Sequence, residues 1–383
     1  MYFEIDKKDL IDPLKYAVSV SEEKGYVPIL NNILIKVETE TLHLTCCDSE
    51  SEIKLKVNLS NPNLDDGGNG SITVNAKKLF HICSSLPANA TISFKDDIDK
   101  EKLYIQSGRS NFELATLPAT DYPASQSLSD ETIYKIKSST LKHQINKVAF
   151  AMANGDARYY LNGVCVDFSD DDKISIVATD GHRLGISTGF YETEKEDSDK
   201  VNFQCIIPRK AILELGKLLG TLKEEEDIVV TIDSNYINFD INNIKFLSKL
   251  IDGQYPNYKA IIPKIGSDDE KIVIAKTDSL KQSLARSMIL SNEKVKSILL
   301  SLSKDRLIIT SKNASQEESV EEVDVDYNGE SFKIGFNAKY ILDVINVIDV
   351  DSVEFHFTNS DSPCLINAKD NDEDKYIVMP IRL

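Results

Sequence analysis

The residues best suited to chemistry lie near the middle of the chain, in the stretch Ile176-Val-Ala-Thr-Asp-Gly-His-Arg-Leu-Gly-Ile-Ser. Asp-Gly is a favoured pair for a two-residue turn between alternating strands, so Asp180 and Gly181 predict such a turn. His182 and Arg183 would then project from a hairpin beside the apolar Leu184. An acid, an imidazole and a guanidinium would meet in one short loop.

Three interpretations of this loop stay open. Asp180 and His182 could be two members of a hydrolase's catalytic triad, but no serine in a nucleophile-elbow context accompanies them. They could be ordinary turn residues, which the sequence alone slightly favours. Or the loop could line a pocket for a partner's peptide, with His182 and Arg183 fixing backbone or acidic groups and Leu184 supplying apolar contact.

A second unusual stretch is Ala157-Arg-Tyr-Tyr-Leu-Asn-Gly. Arg158, Tyr159 and Tyr160 offer a positive charge and aromatic faces on which bases can stack. The same residues would suit the edge of a hydrophobic core, so both interpretations stand.

The elements that position these residues belong to a threefold internal repeat. Three amphipathic helices begin alike, at Asp9-Leu-Ile-Asp-Pro-Leu-Lys, Thr140-Leu-Lys-His-Gln-Ile-Asn and Ser279-Leu-Lys-Gln-Ser-Leu-Ala. A second helix follows each, after Val74-Asn-Ala-Lys-Lys, Ile207-Pro-Arg-Lys and Phe336-Asn-Ala-Lys, where Asn or Pro suits a helix start. Alternating strand sequence lies between the two helices of each unit. The two stretches described above, around His182 and around Arg158, have no counterpart in the other units. Their absence there marks them as candidates for function.

This pattern predicts an α+β fold of three repeated domains, 1–127, 128–262 and 263–383, each with two helices packed on antiparallel sheet. The six helices are predicted at 7–20, 75–86, 139–152, 208–219, 278–291 and 337–348. Their net charges are +1, +2, +2, +2, +1 and 0, in a chain whose net charge is −18. Such segregation permits one basic surface for phosphates on an acidic protein. Solvated helix lysines explain the same numbers.

Composition narrows the class of protein. The chain has 383 residues, 41% of them hydrophobic, and no apolar run approaches the length of a membrane span. Charged residues near Met1 do not resemble a signal peptide, so we expect a soluble, cytoplasmic protein without a membrane partner. The six scattered cysteines suit reduced core positions, and neither they nor the five histidines show metal-ligand spacing, so we expect no metal and no cofactor.

Several motifs resemble the bacterial DNA polymerase III beta subunit family of sliding clamps. They are Arg158-Tyr-Tyr-Leu-Asn-Gly, Ala178-Thr-Asp-Gly-His-Arg-Leu, Ile207-Pro-Arg-Lys, Ser291-Asn-Glu-Lys, Gly335-Phe-Asn and Val378-Met-Pro-Ile-Arg-Leu. The resemblance spans the chain from Pro28 to Leu383. It implies a head-to-tail homodimer that closes into a ring, encircles double-stranded DNA without reading its sequence, and serves the polymerase as a non-catalytic processivity factor.

The resemblance also assigns residues. The DNA-facing set is Lys24, where Arg is often found, with Lys77, Arg158, Tyr159, Tyr160, Arg209, Lys210 and Lys217. The peptide pocket, which receives the polymerase alpha subunit, the clamp loader, other polymerases and repair proteins, is Leu161, Thr179, Gly181, His182, Arg183, Leu184, Pro256, Asn337, Tyr340, Val378, Met379, Pro380, Ile381 and Arg382. The dimer interface is Phe112, Leu114, Ile289 and Leu290 at its apolar centre, with Lys78 and Arg109 facing an acidic stretch that includes Glu317 and Glu321. Three residues near the pocket differ from those expected in the family and leave its peptide preference open. They are Ala260, Val295 and Asp361.

Two rival classes remain. One is the hydrolase that would use Asp180 and His182, and the other is a monomeric peptide-binding scaffold that never meets DNA. Turnover of an ester or phosphodiester would favour the first, and a stable monomer would favour the second.

Overall fold

A computed structural model describes residues 1–21, 27–59, 69–126, 128, 132–170, 172–193, 203–222, 225–266, 270–369 and 371–382. In these residues the chain forms six α-helices and twenty-four β-strands. The helices are α1 Lys7–Val20, α2 Ala76–Ser85, α3 Ser138–Val148, α4 Arg209–Thr221, α5 Thr277–Ser287 and α6 Ala338–Ile345. All six helices predicted from the repeat are therefore confirmed, each with its start within one residue of the prediction.

The strands of the first part of the chain are β1 Tyr2–Asp6, β2 Asn32–Glu38, β3 Thr41–Cys47, β4 Ser51–Asn58, β5 Gly70–Asn75, β6 Thr91–Asp97, β7 Lys102–Ser107 and β8 Ser110–Pro118. Those of the central part are β9 Thr132–Lys137, β10 Gly163–Asp170, β11 Lys173–Thr179, β12 Arg183–Phe190, β13 Gln204–Pro208, β14 Asp227–Ile232, β15 Tyr236–Ile241 and β16 Ile244–Lys249. Those of the last part are β17 Lys271–Lys276, β18 Ser297–Ser303, β19 Arg306–Lys312, β20 Glu318–Asp326, β21 Phe332–Asn337, β22 Ser352–Phe357, β23 Cys364–Ala368 and β24 Asp374–Val378.

Two helices begin where an asparagine caps them. The Asn75 side chain accepts a hydrogen bond from the backbone amide of Lys78 at 3.0 Å, and that of Asn337 accepts from Lys339 at 2.9 Å. Each cap satisfies an amide that the first helical turn leaves without a partner. The same asparagines are the cap positions of the sequence repeat, so local chemistry explains why α2 and α6 begin there.

The chain divides into two compact units. The first comprises 1–138, 192–194 and 217–250, and the second comprises 139–191, 195–216 and 251–383. Each holds one sheet of twelve antiparallel strands among the described residues, in the order β1-β6-β7-β8-β5-β2-β3-β4-β16-β15-β14-β9 for the first. The order in the second is β13-β10-β11-β12-β24-β23-β22-β17-β20-β19-β18-β21.

Within each unit one pairing among the described strands joins two consecutive repeats. In the first unit β4 pairs with β16, with Ser51 opposite Ser248. In the second unit β12 pairs with β24, with Arg183 opposite Val378. Both pairings join a strand of one repeat to the last strand of the next repeat. Consecutive repeats are thereby held in one continuous sheet.

The strands predicted between the two helices of each unit are confirmed, and they form hairpins at β2–β3, β10–β11 and β18–β19. The two-residue turn predicted at Asp180 and Gly181 is wrong. Thr179 lies opposite Leu184, so four residues make the turn between β11 and β12. The reason is that the Asp180 carboxylate caps the amides of both His182 and Arg183, which holds a wider loop.

Burial agrees with the reading of the cysteines. All six are free and buried. Burial raises the pKa of the Cys83 thiol to about 12, which keeps it in the unreactive thiol form. Among the described residues no group of His, Cys, Asp and Glu side chains could hold a metal ion. No described helix is both long and apolar enough to cross a bilayer.

Candidate functional site

The turn between β11 and β12 is the centre of the candidate site. Asp180 Oδ1 accepts hydrogen bonds from the backbone amides of His182 at 2.9 Å and Arg183 at 3.1 Å. Thr179 Oγ1 accepts from the amide of Gly181 at 3.0 Å and donates to the Arg183 carbonyl at 2.6 Å. Gly181 has φ +88°, a left-handed conformation that favours glycine. These bonds fix the direction in which each side chain of the turn leaves the backbone.

Arg183 is held inside the site and does not reach out from it. Its Nε lies 3.1 Å from Asp180 Oδ2, and its Nη1 donates to Asp343 of α6. The guanidinium carbon lies 4.8 Å from the centre of the Tyr340 ring and 5.2 Å from that of Phe150. Cation–π contacts of this kind and two carboxylates make Arg183 the structural hub of the site.

His182 and Tyr340 form an exposed aromatic platform on this hub. Their ring centres are 5.9 Å apart and the rings are inclined by 17°. Burial raises the pKa of the Tyr340 phenol above its ordinary value, so the phenol is neutral near pH 7. The exposed imidazole of His182 therefore lies over the half-buried phenol ring of Tyr340.

The segment that follows β24 is strapped across this platform. The amide of Met379 donates to the His182 carbonyl at 2.9 Å, and the amide of Ile381 donates to the Gly335 carbonyl at 2.9 Å. Met379, Pro380 and Ile381 are half-buried. They present apolar side chains next to the turn.

Apolar side chains form the floor beneath the turn. Leu161 and Leu184 are buried in one hydrophobic cluster with Val177, Ile377 and Tyr255. Val378 belongs to the neighbouring core cluster, against which Tyr340 packs. A firm apolar floor with a few oriented polar groups above it is the usual make-up of a binding pocket.

The remaining predicted pocket residues lie at its rim. Pro256 is exposed, and Asn337 serves as the buried cap of α6. Arg382 is exposed, with its Nε 3.7 Å from Asp361 Oδ1. The second unit therefore contains the whole predicted pocket set, although Arg183 and Asn337 act within the framework and not on its surface.

The hydrolase interpretation finds no support in these contacts. The Asp180 carboxylate accepts from two backbone amides and from Arg183, and the His182 ring stacks on Tyr340. The pair is thus occupied in building the turn and the platform. A relay of Asp, His and a nucleophile needs the carboxylate to orient the imidazole.

Arg158 lies against the same turn. It binds Asp156 through Nε at 3.0 Å and Nη2 at 2.9 Å, and its Nη2 lies 3.2 Å from the Asp180 carbonyl. The side-chain hydrogen bond from Arg158 lowers the pKa of the Asp156 carboxyl to about 2. A phosphate that bound Arg158 would compete with this ion pair.

The two tyrosines next to Arg158 differ in exposure. Tyr159 is 56% exposed, whereas Tyr160 is half-buried and meets it edge to face with ring centres 5.8 Å apart. The glycine that ends this motif, Gly163, has a steric role, because a Cβ there would lie 2.2 Å from the Ile207 carbonyl oxygen.

The other predicted DNA-facing residues are spread over both units. Arg209 begins α4, where its Nη1 donates to the Met152 carbonyl at 3.1 Å and its amide to the Asn162 carbonyl at 2.9 Å. Lys210 and Lys217 are exposed on the same helix, and Lys77 is half-buried on α2. Lys24 lies outside the described residues.

The predicted interface residues lie on two different parts of the chain. In the first repeat, Lys78 begins α2, Arg109 is exposed between β7 and β8, and β8 carries the half-buried Phe112 and the buried Leu114. In the third repeat, Ile289 is 76% exposed and Leu290 is half-buried just after α5.

Two carboxylates of the acidic stretch in the third repeat already have partners within the chain. Arg286 binds both carboxylate oxygens of Glu321, and the amide group of Asn313 donates to Glu317. The hydrogen bond from Arg286 lowers the pKa of the Glu321 carboxyl.

Sequence reasoning missed three residues that hold the site together. They are Phe150 and Asp343, which contact Arg183, and Asp156, which holds Arg158. Asp156 stands two residues before Arg158, and that spacing could have drawn attention to it. Nothing in the sequence connects Arg183 to residues 33 positions before it and 160 positions after it.

Comparison with known families gives three matches in chain order. The profile of the DNA polymerase III beta subunit N-terminal domain matches residues 1–126, that of the central domain matches 135–257, and that of the C-terminal domain matches 259–382.

Individual relatives agree with these matches. The chain is 38% identical to the beta sliding clamp of Pseudomonas putida and 36% identical to that of Escherichia coli, covering all of both sequences in each case. Among solved structures, the sliding clamp of Pseudomonas aeruginosa bound to griselimycin superposes with a TM-score of 0.93 at 38% identity over both full chains. The clamp of Caulobacter crescentus superposes with a TM-score of 0.88 at 32% identity over both full chains.

The hub role of Arg183 predicts a large loss of stability in Arg183→Ala. Two poorly exposed carboxylates, Asp180 and Asp343, would lose their shared cation, and the free energy of unfolding should fall by about 3 kcal/mol. Urea denaturation followed by circular dichroism measures this change. The matched control is Lys339→Ala, since Lys339 is an exposed partner of Asp343 at 3.1 Å and its loss should cost only about 0.5 kcal/mol. Equal, small effects of the two variants would contradict the hub role.

Proposed function

Because the chain belongs to the DNA polymerase III beta subunit family, we propose that two copies close into a ring around duplex DNA and tether the polymerase to it. The protein is a sliding clamp, a processivity factor that carries out no catalysis itself. The observation that carries the proposal is the full-length match to three clamp domains in order. We propose the domain limits 1–127, 128–262 and 263–383 for this ring; the C-terminal profile begins four residues earlier, at residue 259.

Two open strand edges support the closure of the ring. Among the described strands, residues 110–115 of β8 pair only with β7, and residues 318–324 of β20 pair only with β19. By its place in the repeat, β8 corresponds to β16 and β24, and β20 corresponds to β4 and β12. We infer that β20 of one copy pairs with β8 of the other, as β4 pairs with β16 within the chain. Unpaired edges seek such partners.

Side chains suit the same contact. Ile289, Leu290 and Phe112 would form its apolar centre together with the more buried Leu114. Lys78 and Arg109 would face the acidic residues around Glu317, and Glu321 would take part while it holds Arg286. Unlike surfaces that bind head to tail must close into a ring or extend into a filament, and the family forms a closed dimer.

The helices that the sequence predicts to be basic would face the DNA. Lys24, Lys77, Arg209, Lys210 and Lys217 would contact phosphates, which carry charge but no sequence information. Arg158, Tyr159 and Tyr160 would join them, with Arg158 exchanging Asp156 for phosphate. Such contacts give affinity without base readout, so the ring can slide.

The turn of β11–β12 would receive the partners. Short linear motifs of the polymerase alpha subunit, the clamp loader and other polymerases and repair proteins would lay apolar residues on the floor of Leu161 and Leu184. His182, Tyr340 and the Met379–Ile381 strap would orient the peptide. Ala260 and Val295 are exposed and Asp361 lies near Arg382, so we propose that these three departures shift peptide preference.

We propose that the protein works in the cytoplasm, where bacterial DNA is replicated. Six free, buried cysteines suit a reducing compartment.

Topological linkage predicts retention on circular DNA and loss on linear DNA. After loading onto nicked circular DNA by the clamp loader, the protein should elute with the DNA in gel filtration. Cutting the circle once should reduce retention to background, because a ring slides off a free end. Linear DNA with both ends blocked by bound streptavidin is the control and should retain the protein. Unchanged retention after cutting would contradict encirclement.

Charge placed in the apolar interface should open the ring. Ile289→Asp puts a carboxylate at a residue that is 76% exposed in the single chain and buried in the proposed dimer. We expect the dimer dissociation constant to rise at least about tenfold, measured by analytical ultracentrifugation. Ile265→Asp is the control, since Ile265 is 51% exposed and lies outside the proposed interface. Equal dimer affinity in both variants would exclude Ile289 from the interface.

Deletion of residues 379–383 should abolish stimulation of the polymerase and leave the dimer intact. The deletion removes the strap across the platform and its bonds to His182 and Gly335. Primer extension and sedimentation measure the two effects, with Lys369→Ala as an exposed control. Loss of the dimer would mean that the C-terminal residues are structural.

A further inference from the structure

A second cavity lies in the first unit, where β4 meets β16. It encloses about 150 Å³ and is lined by residues of the β3–β4 turn, of the segment after β8 and of strands β15 and β16. The lining side chains are Cys47, Asp48, Ser49, Glu50, Ser51, Glu52, Pro123, Ala124, Gln126, Tyr236, Leu247 and Lys249. None of them belongs to the DNA-facing, peptide or interface sets described above.

The backbone of this cavity repeats that of the peptide pocket. Cys47 lies opposite Glu52, so the β3–β4 turn has four residues, as the β11–β12 turn has. Asp48 Oδ1 accepts from the amides of Glu50 at 2.8 Å and Ser51 at 2.6 Å, as Asp180 does one repeat later. The two turns are therefore built on the same carboxylate cap.

The strap is repeated as well. The amide of Lys249 donates to the Glu50 carbonyl at 2.7 Å, in the same way as the amide of Met379 donates to the His182 carbonyl at 2.9 Å. Lys249 thus occupies the position of Met379, and Leu247 that of Ile377.

A linker tyrosine lies beneath both turns. The Tyr122 hydroxyl accepts from the Cys47 amide at 3.1 Å, and the Tyr255 hydroxyl donates to the Val177 carbonyl at 3.4 Å. Both rings are buried, and each is followed by a proline, Pro123 or Pro256. The framework of the peptide pocket therefore exists twice in the chain.

The side chains on the two frameworks differ in charge. Glu50 stands in the position of His182, Ser51 in that of Arg183, and Glu52 in that of Leu184. The described lining contains three carboxylates and one ammonium group. The turn carries basic and apolar side chains in the second unit and mainly acidic ones in the first.

Ser51 is the buried polar residue of this cavity that has no partner in the described part of the chain. It is only 7% exposed, and its hydroxyl has no hydrogen-bond partner among the described residues. A buried hydroxyl without a partner is costly, so a ligand that binds it gains free energy. In the strand register Ser51 stands where Arg183 stands in the second unit, so its shorter side chain brings no guanidinium to this turn.

We propose that this cavity is a second peptide-binding site, which accepts a lysine or arginine side chain from a short extended segment of a partner protein. The cation lies where the Arg183 guanidinium lies in the second unit, near Asp48 and Glu52. The Glu52 carboxylate already accepts from Ser125 at 2.9 Å and lies 2.9 Å from Lys54 Nζ, so the incoming cation competes with Lys54. The apolar parts of Leu247 and Pro123 receive a neighbouring side chain of the segment.

The experiment measures fluorescence polarisation of two labelled peptides, Ala-Leu-Arg-Leu-Ala and Ala-Leu-Glu-Leu-Ala, with the full-length protein. We expect the arginine peptide to bind at least about tenfold more tightly than the glutamate peptide. Ser51→Arg fills the cavity with the chain's own guanidinium and should weaken binding of the arginine peptide by a similar factor. Ser84→Arg, the same change at an exposed site on α2, should leave binding unchanged.

Two further variants keep the result interpretable. Glu50→Lys changes an exposed side chain and should weaken the arginine peptide even if Ser51→Arg fails to fold, which thermal unfolding reveals. Deletion of 379–383, which removes the strap of the other pocket, should leave arginine-peptide binding unchanged.

Several results would overturn the proposal. They are equal binding of the two peptides, no binding at millimolar concentration, full binding to folded Ser51→Arg, or loss of binding on the 379–383 deletion. Ser51→Arg should still be retained on circular DNA, so failure of this site is distinguishable from failure of the clamp.

Discussion

Backbone pairing between the end strand of one repeat and a strand of the previous repeat is the interaction on which the rest depends. It joins β4 to β16 and β12 to β24, and each junction satisfies amides and carbonyls that an edge strand would expose to solvent. Three repeats in a row can form only two such junctions within one chain. In the proposed dimer the third junction would join β20, in the last repeat, to β8, in the first repeat of the other copy. A second copy would supply partners for both strands at once, which is why the repeat and the closed dimer belong to one structural principle.

The junction also forms the backbone framework of both proposed binding sites. Wherever two strands of different repeats begin their pairing, the preceding turn and the following segment lie side by side, and the carbonyl of the turn accepts an amide from the strap. Asp48 and Asp180 cap this turn in two repeats, and Asn313 caps the corresponding turn of the third, accepting from Ser315 and Glu317 at 3.0 Å each. Each turn has a capping side chain because the backbone amides of the turn need a hydrogen-bond acceptor. The side chains that follow the cap can differ between repeats, and they determine what each turn can bind.

Local signals made much of the fold predictable. Asn75 and Asn337 cap helices through their own side chains, and apolar and polar residues alternate along the strands. Helices, strands and the repeat could therefore be identified from the sequence. The β11–β12 turn was predicted too short because Asp-Gly favours a two-residue turn, whereas the Asp180 carboxylate captures two amides. The contacts of Arg183 with Phe150 and Asp343 could not be predicted, since they arise only when distant segments pack. The pocket residues came from resemblance to a family, and that resemblance could not reveal that Arg183 is turned inward.

If the β11–β12 turn receives peptides as we propose, the inward position of Arg183 explains how an exposed loop would bind them firmly. A guanidinium held by two carboxylates and two aromatic rings loses little further freedom when a ligand arrives, so the entropic cost of ordering the site has been met during folding. His182 and Tyr340 are thereby stacked in a binding-competent arrangement before any partner is present. In the first unit the same turn lacks this arginine, and Ser51 stands at the equivalent place with a buried hydroxyl that has no partner among the described residues. On this shared backbone, the exchange of Arg183 for Ser51 separates a turn that carries its own cation from one that, in our proposal, receives it from a ligand.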